Sequence, residues 1–259
     1  ETFTIQLHPP LHVENLLAWP MNFKILNKRS GRSTSEGGLE PEKDVAVHQI
    51  DSDDPLAIQI QLPGFRYSPP ADITSSDFAT YIELLDADDH ILPLRIANHL
   101  DALGRRRVSI YATHWLVNKT GLRLLYKQLY YESIAAGQRS LEQLTIDTSG
   151  DPHNWYRDDL GEQALIRQPL LFDFVRTFDL RANKLSVKIA NSTWYSKGIS
   201  LEAEGATGTF EISDEYVRGQ PTRSYQLGVS VTRGSGKLWR TKIVTFTPQF
   251  VLINETPHC

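Results

Sequence analysis

VTFTPQFVLIN (residues 244–254) alternates apolar and polar residues, meets a proline, turns almost wholly apolar and stops on an asparagine. The same pattern stands at IQLHPPLHVEN (5–15) and VSIYATHWLVN (108–118), and the three copies align without a gap. Ten and eight places before the asparagine lie Ile5 and Leu7, Val108 and Ile110, Val244 and Phe246; two before it lie Val13, Leu116 and Leu252. Four places before it the residues are Leu11, His114 and Phe250, and six before it Pro9, Ala112 and Pro248. Asn15 and Asn118 are 103 residues apart, Asn118 and Asn254 136 apart. Such self-similarity marks an internal repeat, which sets the architecture. It divides the chain into residues 1–14, the last strand of a preceding repeat; 15–117 and 118–253, two complete repeats; and 254–259, the start of the next.

Within each copy the asparagine has the same parity as the apolar residues, so an unbroken strand points it to the apolar face. An amide turned inward must be hydrogen-bonded, since leaving it unpaired costs roughly 1–3 kcal/mol. Asparagine commonly bonds its own chain two residues on. Asn15, Asn118 and Asn254 are therefore read as turn staples between successive repeats, or as contributors to a binding groove.

The rest of the chain reads as short strands. LAIQIQL (56–62), YIELL (81–85), ILPLRI (91–96), KLSVKI (184–189), ISLEA (199–203), TFEI (209–212) and YQLGVSV (225–231) favour alternation, and turn residues punctuate them. RGSG (233–236) predicts a hairpin turn between the runs 225–232 and 237–246. Only DLGEQALIR (159–167) suggests a short helix. The stretches 29–43, rich in Ser, Gly and charge, and 145–159 are expected to be solvated loops. Many strands without intervening helices predict an all-β fold of tandem β-sandwich-like repeats.

The 259 residues carry a net charge of −4, which gives no electrostatic reason to expect a nucleic-acid partner. No apolar stretch approaches the roughly 18 residues of a membrane span, and the first residues do not resemble a signal peptide. A single cysteine, Cys259, forms no intrachain disulfide, which favours a reducing compartment. Three Asn-x-Ser/Thr sequons begin at Asn118, Asn191 and Asn254, but two of these asparagines belong to the repeat.

No catalytic constellation is evident, and the expectation is a protein that is not an enzyme and holds no cofactor or metal. The acidic turns DSDD (51–54) and DADDH (86–90) lack the spacing of a calcium loop. His8 and His12 have a helical ligand spacing, but Pro9 and Pro10 forbid the helix. His114 is expected to be a satisfied near-core histidine, and Arg105–Arg107 a solvated strand start.

HPPLHVENLLAWPMNFKI (8–25), WLVNKTGL (115–122) and WRTKIVTFTPQFVLINET (239–256) resemble the adaptor-binding region of the vacuolar protein sorting 13 family; STWYSKGISLEAEGATGTF (192–210) and YQLGVSVTRGSGK (225–237) resemble the same region. The resemblance implies a β-rich repeat module of a very large bridge-like protein that carries lipids between organelles. It implies a cytoplasmic location, peripheral at membrane contact sites, with adaptor proteins bearing Pro-x-Pro motifs as partners and organelle membranes reached through them. The family's region holds six repeats, with adaptor binding towards the end of the array, so these two repeats are either a binding module or scaffold. A β-sandwich takes an extended peptide by strand addition, with pockets for alternate side chains, and Trp19, Trp115, Trp194 and Trp239 are the candidate pocket aromatics. A carbohydrate-binding sandwich would instead need coplanar exposed aromatics on one face.

Overall fold

The computed structural model describes residues 8–50, 54–74, 78–102, 104–138, 169–175, 183–189, 192–214 and 222–250. Among these residues the first unit has nine strands: β1 Leu11–Leu16, β2 Met21–Asn27, β3 Ser33–Leu39, β4 Asp44–Val47, β5 Leu56–Gln61, β6 Ala71–Asp72, β7 Phe78–Leu85, β8 Ile91–Leu100 and β9 Arg106–Tyr111. They form two sheets, ordered β4-β1-β9-β8-β7 and β3-β2-β5-β6. The period-two residues of both sheets meet in one core, with Leu11, Val13, Val108 and Ile110 from one side and Phe23, Ile25, Ile58 and Ile60 from the other. Alternation gives each strand one apolar face, and two such faces bury each other as a sandwich.

The second unit repeats the plan. Strands β10 His114–Asn118, β12 Leu170–Phe172, β14 Thr207–Ser213, β15 Ser224–Arg233 and β16 Lys242–Pro248 make a sheet ordered β12-β10-β16-β15-β14, and β11 Leu124–Gln128 pairs with β13 Leu185–Ile189. Leu116, Tyr126, Val187, Phe210, Val244 and Phe246 gather in a second core. The fold is thus all-β and built of sandwich-like units.

The two units share a register. The first strand of each lies parallel to the last, pairing Val13 with Val108 and Asn15 with Ile110 in one, Leu116 with Val244 and Asn118 with Phe246 in the other. In each unit the asparagine therefore sits opposite the residue eight places before the next asparagine of the sequence pattern. The entry bond recurs too: Arg106 N donates to Pro10 O at 2.9 Å and Lys242 N to Thr113 O at 2.8 Å. Even-numbered positions from Val108 to Leu116 are all buried, but Ala112 packs in the first core and Leu116 in the second. The chain changes sheet between Tyr111 and His114 while the side-chain alternation runs on without a slip.

Three expectations need correction. Within 29–43, taken for a solvated loop, residues Ser33–Leu39 form β3 and pair with β2 from Met21 to Leu26. β2 supplies the buried face there, and Gly37 leaves room for the Phe23 ring, which a Cβ would approach to 3.2 Å. The run 199–203 is not a strand: Ile199 makes a single bridge to Leu185, although Ile199 and Leu201 are both buried. Alternation there records burial without a hydrogen-bonded ladder. The hairpin at 233–236 is real but longer, since β15 ends at Arg233, a 3-10 turn covers Gly236–Leu238 and β16 starts at Lys242. Gly234 is required in that loop, because a Cβ would lie 2.5 Å from Leu238 O. The expected helix at 159–167 and loop at 145–159 lie outside the described residues.

Candidate functional site

At the end of β1, Asn15 is fully buried, its Oδ1 accepting Leu17 N at 3.0 Å. Its Nδ2 donates to Trp19 O at 2.9 Å, Leu39 O at 3.0 Å and Glu40 O at 3.2 Å, tying the turn to the end of β3. At the end of β10, half-buried Asn118 repeats the local part: Oδ1 accepts Thr120 N at 3.0 Å and Nδ2 donates to Leu122 O at 2.7 Å. The Thr120 hydroxyl adds a donor to Oδ1 at 2.7 Å, so the sequon threonine serves this turn. Asn191 and Asn254 lie outside the described residues.

The four candidate tryptophans separate by environment. Trp19 and Trp115 are buried in the first core, and Trp19 Nε1 donates to Pro169 O at 2.8 Å. Packed there, neither ring faces a ligand in solvent. Trp239 is 51% exposed on the β15–β16 loop, with the Arg240 guanidinium 4.4 Å from its ring centroid. Trp194 is half-buried beside β14, and the Lys127 ammonium stands 4.7 Å over its ring.

Trp194 lines a groove of about 510 Å³ together with Tyr195, Lys197, Phe210, Glu211 and Gln226. Tyr195 and Phe210 pack with ring centroids 5.1 Å apart beneath it. β14 is the last strand of its sheet, and among the described residues the backbone of the segment after β13 bonds its end, where Ser192 bridges Asp214 and Thr193 N donates to Ser213 O at 3.1 Å. Among the described residues no strand pairs with the rest of that outer edge. An open edge presents a row of backbone donors and acceptors, to which an extended chain adds as a further strand. Trp194 is the one candidate tryptophan beside this edge; its partner Lys127 lies on a distant strand, and no sequence pattern links the two.

Apart from His8, the remaining polar candidates contact other groups of the chain. Burial pushes the Asp86 carboxyl upward, but the amides of Gly137, His90 and Asp88 outweigh it and hold the group below its ordinary range. DADDH is therefore a carboxylate-capped turn, and Asp86 also anchors Gly137 at 2.9 Å. Arg105 pairs with Asp101 at 2.5 Å, Arg106 donates to Thr74 O at 2.9 Å, and Arg107 lies 3.7 Å from Glu14. His12 lies 3.7 Å from Asp44, and His8 is exposed. Buried His114 touches the Thr113 hydroxyl at 2.9 Å, with its ring tilted against Phe172 and edge-on to Phe174. Burial lowers its pKa to about 4, with Lys242 adding to the effect and Asp173 opposing it. Among the described residues no three His, Cys, Asp or Glu side chains group as a metal set, and no helix is long and apolar enough to cross a membrane.

Comparison with family models matches residues 1–259 to the family described as vacuolar-sorting associated protein 13, adaptor binding domain. Similar proteins include the intermembrane lipid transfer protein tipC of Dictyostelium discoideum, 27% identical over 98% of this chain and 7% of that protein. Intermembrane lipid transfer protein VPS13 of Chaetomium thermophilum is 28% identical over 97% of this chain and 7% of its own length. Intermembrane lipid transfer protein VPS13D of Homo sapiens is 25% identical over 98% of this chain and 5% of its own length. The chain spans a small fraction, 5–7%, of the length of these relatives.

Proposed function

The chain belongs to the vacuolar-sorting associated protein 13 adaptor-binding domain family, and from that premise we propose that it is a non-catalytic peptide-recognition module. On this reading it binds Pro-x-Pro segments of adaptor proteins. It thereby brings a large lipid-transfer protein to organelle membranes, as a cytoplasmic, peripheral component of membrane contact sites. The observation that carries the reading is the open edge of β14, flanked by Trp194 under Lys127 and backed by Phe210.

Strand addition and Pro-x-Pro spacing suit each other physically. Along a strand, successive residues point their N–H and C=O to opposite sides, so every second residue shares a side. Prolines two apart share a side, so both missing N–H groups face away from the sheet and no ladder bond is lost. The residue between them makes the backbone bonds, and an extended proline peptide loses little entropy on binding. The indole of Trp194 supplies an apolar wall for a proline ring; this role is proposed for Trp194, and not for the buried Trp19 and Trp115 or for Trp239, which does not line the groove.

The asparagines have a different role in this account. Both polar ends of Asn15 and Asn118 are engaged in their own turns, which supports a staple at each repeat start rather than contact with ligand. The same role is proposed for Asn254, with units spanning 15–117 and 118–253.

The test is a titration of the folded chain with a labelled Pro-x-Pro peptide, beside the same peptide with alanine at both prolines. Saturable binding that needs the prolines, weakened at least tenfold by Trp194→Ala, is expected. No binding by a chain of unchanged melting temperature would leave the two units as scaffold.

A further inference from the structure

The groove beside β14 has a counterpart in the first unit. After β5, Phe65 makes a single bridge to Asp86 just past the end of β7, and Arg66 N donates to Leu85 O at 2.9 Å. These match the Ser192 bridge to Asp214 and the Thr193 bond to Ser213. Two residues further, Ser68 N donates to Ile60 O at 2.8 Å, as Tyr195 N does to Val187 O at 2.9 Å. The residue between them is an aromatic in both units, Tyr67 and Trp194. Each carries a lysine over its ring, Lys24 from β2 at 4.5 Å and Lys127 from β11 at 4.7 Å. Each lysine stands nine residues after its unit's asparagine. The edge strands agree as well: Glu83 on β7 and Glu211 on β14 each lie three residues before the bridged aspartate, and both are exposed.

A lysine, an aromatic, a glutamate and the bridged aspartate thus recur around the open edge of the terminal strand, while Phe65 and Ser192, Arg66 and Thr193, and Ser68 and Tyr195 differ. Beside Glu83 in the first unit lies a cavity of about 600 Å³ lined by Pro69, Pro70, Asp72, Tyr81 and Glu83, starting two residues beyond Tyr67, which does not itself line it. Tyr67 is 37% exposed. The Phe65–Arg66 segment bonds the outer edge of β7 at the Leu85–Asp86 end, and among the described residues no strand pairs with that edge. The lysines here face acids of their own, Lys24 with Glu36 at 3.9 Å and Lys28 with Asp72 at 2.5 Å, while Glu83 stands exposed on the open strand. The charge met by an incoming segment is that carboxylate.

Resting on the peptide-recognition reading above, we propose that each unit carries its own strand-addition site. The first, along β7 beside Tyr67 and Lys24, takes a second extended, proline-bearing segment with a basic residue next to a proline. Pro69 and Pro70 occupy the wall where the second unit has Ser196 and Lys197, so the two sites differ in affinity. An adaptor with two such segments gains by effective concentration as well as by contact.

Calorimetric titration of the folded chain with a Pro-x-Pro peptide bearing a flanking lysine tests this, alongside Tyr67→Ala, Trp194→Ala and the surface change Glu83→Lys. Two peptides per chain are expected, with each aromatic variant removing one. Glu83→Lys should weaken the first site at least tenfold and leave the second unchanged, whatever Tyr67→Ala does to folding. One peptide per chain, or two of which neither responds to Tyr67→Ala or Glu83→Lys, overturns the duplication while peptide recognition stands. No binding to the folded wild-type chain overturns both.

Discussion

Asn15 and Asn118 build one turn at two depths. In both, Oδ1 accepts the amide two residues on and Nδ2 donates to the carbonyl four residues on. Around Asn15 the turn is sealed, and the amide also reaches Leu39 O at the end of β3 and Glu40 O just beyond it. Around Asn118 the turn is half open, and the Thr120 hydroxyl shares the work, bonding both Asn118 Oδ1 and Leu122 N. The turn itself is local chemistry and follows the sequence spacing. What it contributes to stability depends on burial, because an orphaned group in contact with water recovers most of its hydrogen bonding and a sealed one does not.

That contrast makes the largest prediction. Asn15→Ala strands Leu17 N and Trp19 O in the interior and should cost roughly 2–5 kcal/mol, read as a fall in urea midpoint at unchanged slope. Next comes the position four places before each asparagine, Leu11 in the first unit and His114 in the second. Folded His114 titrates near 4 and its unfolded form near 6.5, so between these values the unfolded chain binds more protons. Its contribution is therefore complete above about pH 6.5 and is lost as pH falls towards 4, by roughly 3 kcal/mol. His114→Leu, which copies the first unit, should flatten that part of the urea-midpoint profile; an unchanged slope would assign the acid sensitivity elsewhere. The smallest effect belongs to Asn118→Ala, at about 1 kcal/mol for a partly hydrated turn. Equal losses at Asn15 and Asn118 would break the comparison.

Much of this was legible in the sequence where side chains alternate over a buried face. β5, β7, β8 and β15 follow their apolar residues, and the ungapped repeat anticipates the matching parallel register of β1 with β9 and β10 with β16. β3 was not legible, because Ser33–Leu39 owes its strand to pairing with β2 rather than to its own side chains. The run at 199–203 shows the converse, two buried residues at period two with one bridge between them and β13. For the site, residue type alone made Trp19, Trp115, Trp194 and Trp239 equivalent. Only the packing separates two core rings from the one beside an open edge. The Lys24–Tyr67 and Lys127–Trp194 pairs were invisible for a simpler reason, since each joins residues on separate strands and loops that the fold alone brings together.

The most direct test of the account is amide hydrogen exchange with and without a saturating Pro-x-Pro peptide, using the proline-to-alanine peptide as control. Strand addition predicts slower exchange at alternate backbone amides of β14 within 207–213, absent with the control. Binding that protects only the turn following Asn118, or that leaves both edge strands β7 and β14 exchanging as before, would contradict it.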